Sequence, residues 1–85
     1  MQGILITHEE YNDVTFKNPR DLFQGKEITF IGAWVERNLV FMGLKNTHGH
    51  SVNKNIPNHL IQGAVFDEPP RGPVLIVETN EHGDV

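Results

Sequence analysis

The stretch that decides the fold is EITFIGAWVERNLVFMGLK, residues 27–45. It contains two apolar runs rich in β-branched and aromatic residues, residues 27–36 and 39–45, separated by Arg37 and Asn38. Asparagine tolerates a positive φ angle, so this pattern predicts two antiparallel strands joined by a tight turn. Both faces of the predicted hairpin are apolar, and we therefore expect cover on both sides from the rest of the chain or from a second molecule.

The length of the turn sets the pairing between the two strands. A two-residue turn would place Trp34 opposite Phe41 and Ile31 opposite Leu44 across the ladder. This register is the one expected from the sequence.

An internal repeat organises the segments around the hairpin. Gly-x-x-x-Thr-His followed by Pro-x-x-Leu-x-Gln-Gly occurs in residues 3–25 and again in residues 43–63, although a match of two copies can be coincidental. Each copy predicts a strand, a polar loop, a short helix and a second strand. In the first copy residues 9–17 are predicted to be irregular and Asn18 to cap the helix, and residues 74–77 predict a further, continuous apolar strand. The chain is thus predicted to be an α+β fold, mainly an antiparallel sheet with two short helices, in the pseudo-twofold β-α-β-β-α-β order of a ferredoxin-like plait. Because both helices are short, a small half-open β-barrel is the alternative.

Composition limits the classes of protein to which the chain can belong. The 85 residues predict one domain, residues 1–85, and a net charge of −4 without a cluster of Lys and Arg argues against direct nucleic-acid binding. Apolar runs are too short to cross a membrane, so we expect no membrane association. The chain has no cysteine, which favours a cytoplasmic setting, or the interior of the host cell for a viral protein.

The candidate metal ligands are histidines in a polar loop. His48 and His50 lie two residues apart in the loop of residues 46–55, and imidazole nitrogens suit zinc and related divalent cations. His8, His59 or a carboxylate would complete such a site. No full catalytic motif accompanies them, so no catalytic residue or cofactor is assigned beyond this possible divalent metal, and an enzyme is the less favoured class.

The remaining candidate binding residues are exposed or aromatic side chains. Trp34 is the only tryptophan and is favoured as a core residue over an interface anchor. Arg37 and Arg71 occupy turns and are the best candidates to contact an anionic ligand or an acidic partner surface. The full predicted binding set is Trp34, Arg37, Asn46, His48, His50 and Arg71.

These observations predict a small non-enzymatic interaction module that binds a protein partner and forms a homodimer. By analogy with compact proteins of viruses and phages, we expect the accessory or inhibitor type. The alternative is a small-ligand or divalent-metal site at the His48/His50 loop, which would sequester an anionic ligand or carry out histidine-dependent hydrolysis.

Overall fold

The last strand in the described part of the chain lies in the middle of the sheet. The computed structural model describes residues 1–79, and its antiparallel strands lie in the order β2-β1-β6-β4-β3-β5. Their bounds are β1 Gln2–Ile6, β2 Tyr11–Thr15, β3 Ile28–Trp34, β4 Leu39–Leu44, β5 Val65–Phe66 and β6 Val74–Glu78. Helix α1 (Asn58–Gly63) and two 3-10 helices, Pro19–Phe23 and Val35–Arg37, complete the fold. The Cα radius of gyration is 11.9 Å. A single compact domain of this length is expected to have a value of about 12 Å.

Strand β6 is buried on both faces of the sheet. Its residues from Val74 to Val77 are each at most 4% exposed. Val74 and Ile76 join one apolar cluster with Phe41, which defines face A. Leu75 and Val77 join the other cluster, together with Met42 and Leu44, which defines face B. The continuous apolar run predicted for this strand is confirmed, because a strand covered on both faces needs no polar alternation.

Each face is covered by a different short helical segment. Helix α1 packs on face A through Leu60, and the 3-10 helix Pro19–Phe23 packs on face B through Phe23. Asn18 caps the 3-10 helix as predicted, since its side-chain oxygen accepts a hydrogen bond from the Arg20 N–H at 3.0 Å. Such short helices have little stability of their own and depend on these apolar contacts.

The predicted ferredoxin-like plait is wrong. Residues 9–17, predicted to be irregular, contain strand β2. Of the two predicted short helices only the second is an α-helix, the first being a 3-10 helix, and the two segments lie on opposite faces of the sheet. In the predicted repeat, β1 corresponds to β4 and β3 corresponds to β5. A pseudo-twofold would therefore require β5 to pair with β1, as β3 pairs with β4, but β5 pairs with β3. The half-open barrel is wrong as well, because the six strands form one sheet with a separate apolar core on each face, whereas a barrel would enclose a single core.

The predicted register of the β3-β4 hairpin is also wrong. The chain coils into a 3-10 turn after Trp34, and only Asn38 takes the left-handed conformation, with φ 54°, so Trp34 pairs with Leu39. A β-bulge at Ile31 then shifts the pairing by one residue. The Ile31 side chain lies over Gly43, where the absence of a Cβ atom leaves room for it.

Candidate functional site

The six predicted binding residues fall at two opposite ends of the β3-β4 hairpin. Trp34 and Arg37 lie at its turn, whereas the other four lie beyond the end of β4, in two loops that contact each other. The structure therefore divides the predicted set into two places. Their roles in binding stay predictions.

The Trp34 side chain packs between the sheet and helix α1. It is half-buried against the face A cluster, and its ring lies directly over Gly63, where a Cβ atom would overlap it. The Arg37 guanidinium carbon lies 4.9 Å from the ring centroid, a distance typical of cation–π contacts. These contacts give Trp34 a packing role.

The predicted loop residues converge on one corner of the molecule. The Asn46 side-chain oxygen accepts a hydrogen bond from the His48 N–H at 3.0 Å, and the His50 N–H donates to the Thr47 carbonyl at 2.9 Å. Arg71 donates from its guanidinium to the His50 carbonyl at 3.2 Å. These bonds fold the chain after β4 into a turn that places both histidines and Arg71 close together.

A buried asparagine fixes this loop to the rest of the fold. Asn53 is 3% exposed, and its Nδ2 donates to the carbonyls of Ile6 at 3.0 Å and Gly72 at 2.9 Å. Its Oδ1 accepts from the Asn55 N–H at 2.9 Å, and its own N–H donates to the Pro70 carbonyl at 2.8 Å. The polar loop therefore has a defined conformation over a buried anchor.

The histidines do not meet the further protein ligands expected of a metal centre. Within residues 1–79, no three side chains of His, Asp or Glu come together as a metal site would require. A metal held by His48 and His50 would have to draw its other ligands from water or from a second molecule. Metal binding at this pair stays a prediction.

Two lysines outside the predicted binding set line the same corner. Lys26 precedes β3 and Lys45 follows β4, and the Lys45 N–H donates to the Glu27 carbonyl at 3.0 Å, which extends the ladder to this point. With Asn46, Thr47 and both histidines they surround an open depression of about 810 Å³. The hairpin pattern was the only signal that could have shown this proximity.

A second surface is formed by apolar side chains on face B near the β5 edge. Paired residues share a face, so Val65, Ala33, Val40 and Val77 form one cross-strand row on face B. Phe30 lies in the next row, opposite Met42 and Leu75. We define the face B patch as Phe30, Ala33, Val40 and Val65.

The face B patch is only partly covered by the rest of the chain. Val65 is 76% exposed and Phe30 is 63% exposed, whereas Met42 and Val77 in the same rows are buried. The covering side chains Phe16 and Phe23 belong to the buried cluster of this face, and Leu22 packs against it. Contiguous apolar surface of this kind is typical of protein interaction sites.

Comparisons with protein-family models, curated proteins and solved structures give no match to this chain. In residues 1–79, no helix has the length and apolar character needed to cross a membrane.

Proposed function

We propose that this protein is a small non-enzymatic binding module that forms a homodimer through the face B patch. The observation that carries the proposal is the exposure of Phe30 and Val65 at the outer ends of rows that end inside the sheet at the buried residues Leu75 and Val77. Covering these side chains would extend the face B core outward by the same apolar packing that holds its centre.

A second copy of the chain is the partner that the patch fits most simply. The patch contains only apolar side chains, and a twofold dimer brings identical surfaces together, so apolar groups would meet apolar groups. Homodimer interfaces are also more apolar than the average protein surface. A domain of this size has a small core of its own, and a shared interface would add to it.

The proposal is tested by the oligomeric state of a patch variant. We expect the wild-type chain to sediment as a dimer at micromolar concentration and the double variant Phe30→Ser/Val65→Thr to sediment as a monomer. The dissociation constant should rise by at least about tenfold, since both anchors of the interface are removed. Circular dichroism and thermal unfolding check that the variant is folded.

The matched control removes a similar apolar side chain elsewhere. Ile61 lies on α1 and is 39% exposed, and helix α1 packs on face A, so Ile61→Gln should leave the dimer intact. A wild-type chain that stays monomeric at high micromolar concentration would rule the proposal out. Equal weakening by Ile61→Gln would rule out the patch as the interface.

A further inference from the structure

The ends of β3 and β4 bring two cationic side chains to one place. Ile28 pairs with Leu44 at the open end of the β3-β4 hairpin. Lys26 and Lys45 lie just outside this pair and therefore come to the same end of the hairpin. The Lys26 N–H donates to the Phe23 carbonyl at 3.1 Å, which holds the chain just before β3. The backbone positions of both lysines are therefore fixed by hydrogen bonds, while their side chains are exposed.

The depression beside these lysines is more positive than the molecule as a whole. The residues around it include two lysines and two histidines but one carboxylate, Glu27, although the chain carries a net charge of −4. Within the described residues, the only ion pair joins Lys45 Nζ to Glu27 at 3.6 Å, with both side chains more than two-thirds exposed. Such an exposed pair contributes little, so an anion with more charge can displace the carboxylate.

The polar groups around the depression suit an anion with several oxygen atoms. Among the lining residues, Lys26 and Lys45 offer ammonium donors, Thr47 a hydroxyl group, and His48 and His50 ring nitrogens. A compact anion with several acceptor oxygens can accept from many of these groups together, and charged donors bind such oxygens strongly. The depression, about 810 Å³, also has room for an organic group attached to the anion.

We infer that this depression binds a phosphoryl group, either as inorganic phosphate or as the terminal group of a small phosphate monoester. The inference is independent of the proposed homodimer, because the depression and the face B patch share no residue. Lys26 and Lys45 supply the charge, and the turn formed by residues 46–50 supplies hydroxyl and ring-nitrogen groups.

The test is a titration followed by amide chemical shifts. Inorganic phosphate, phenyl phosphate and chloride are added in turn to the nitrogen-15-labelled full chain at matched ionic strength. We expect saturable shifts at residues 26–27 and 45–50 with either phosphate compound and none with chloride. Tighter binding of phenyl phosphate points to a monoester as the natural ligand, and tighter binding of inorganic phosphate points to the free ion.

Three variants test the inference, because one should weaken phosphate binding, one should strengthen it and one should leave it unchanged. Lys26→Ala/Lys45→Ala should weaken phosphate binding by at least about tenfold, because two charged donors are lost. Glu27→Gln should strengthen binding, because it removes the carboxylate that competes for Lys45. The control Lys17→Ala/Lys54→Ala changes the net charge equally at exposed lysines outside the depression and should leave binding within about twofold. Shifts that do not saturate, or equal weakening in the control, would overturn the inference.

Discussion

At the scale of single residues, Asn53 links more separate parts of the chain than any other polar side chain in the described fold. Its amide group joins the end of β1, the segment before β6 and the loop before α1. A polar side chain that is buried with its hydrogen bonds made defines one arrangement of the chain around it. The loop that carries the histidines depends on this arrangement.

Replacing Asn53 with alanine should therefore destabilise the fold. The carbonyls of Ile6 and Gly72 would lose their donor in a buried setting, at a cost of about 2–3 kcal/mol in the free energy of unfolding. Urea denaturation measures this loss.

Asn55→Ala is the matched control for this substitution. Asn55 donates to the carbonyls of Thr7 and Glu10 at 3.1 and 3.2 Å, but it is exposed, so water can replace its amide. We expect a loss below about 1 kcal/mol. Equal losses for the two variants would show that burial at Asn53 has no special role.

At the scale of elements, helix α1 is held on face A by close approach to Trp34. A Cβ atom at Gly63 would overlap the indole ring, so Gly63→Ala should push the ring outward and lower stability by about 1–3 kcal/mol. Trp34 is the only tryptophan, and its fluorescence emission reports the displacement directly. Gln62→Ala, at the exposed neighbouring position, should change neither stability nor emission; an unchanged spectrum in Gly63→Ala would contradict the packing described.

The strands should differ in the protection of their amide hydrogens. Strand β6 is paired on both sides and buried on both faces, so its amides should exchange only by global unfolding. Strand β2 is paired only with β1 within the sheet of residues 1–79 and is largely exposed, so its amides should exchange by local opening. Hydrogen exchange that is fastest in β6 would be incompatible with this sheet order.

The sequence predicted correctly the features that are set by a few neighbouring residues, and it missed those that are set by contacts between distant segments. Strand β6 and the Asn18 cap are recognisable because a continuous apolar run or a capping side chain acts over a few residues. Strand β2 was missed because its segment Tyr11–Thr15 has polar residues at most positions and is stabilised by pairing with β1. The register of β3 and β4 was missed because residues 35–38 coil into a 3-10 turn instead of the predicted two-residue turn. The bulge at Ile31, whose side chain lies over Gly43, then shifts the pairing once more.

The same distinction applies to the candidate sites. His48 and His50 stood out as neighbours in a polar loop, and the structure places Asn46 and Arg71 beside them. Lys26 and Lys45 could not be connected without the pairing of β3 with β4.

At the scale of the whole molecule, the proposed dimer should respond only weakly to salt. The face B patch consists of apolar side chains, so the dissociation constant of the dimer should change by less than about threefold between low and high sodium chloride. Sedimentation at several salt concentrations tests this expectation. A dimer that dissociates as sodium chloride rises would instead indicate an interface held by charged groups.

The central place of β6 also bears on how the sheet is assembled during synthesis. As a nascent chain leaves the ribosome, the β1-β2 hairpin and the β3-β4 hairpin emerge first, but within residues 1–79 the sheet contains no direct pairing between them. Only the arrival of residues 74–78 inserts the strand that joins the two hairpins. The inner strands of the two hairpins, β1 and β4, would therefore stay unpaired on one side until nearly the whole described chain had been translated. Chains stalled before Val74 should remain sensitive to protease.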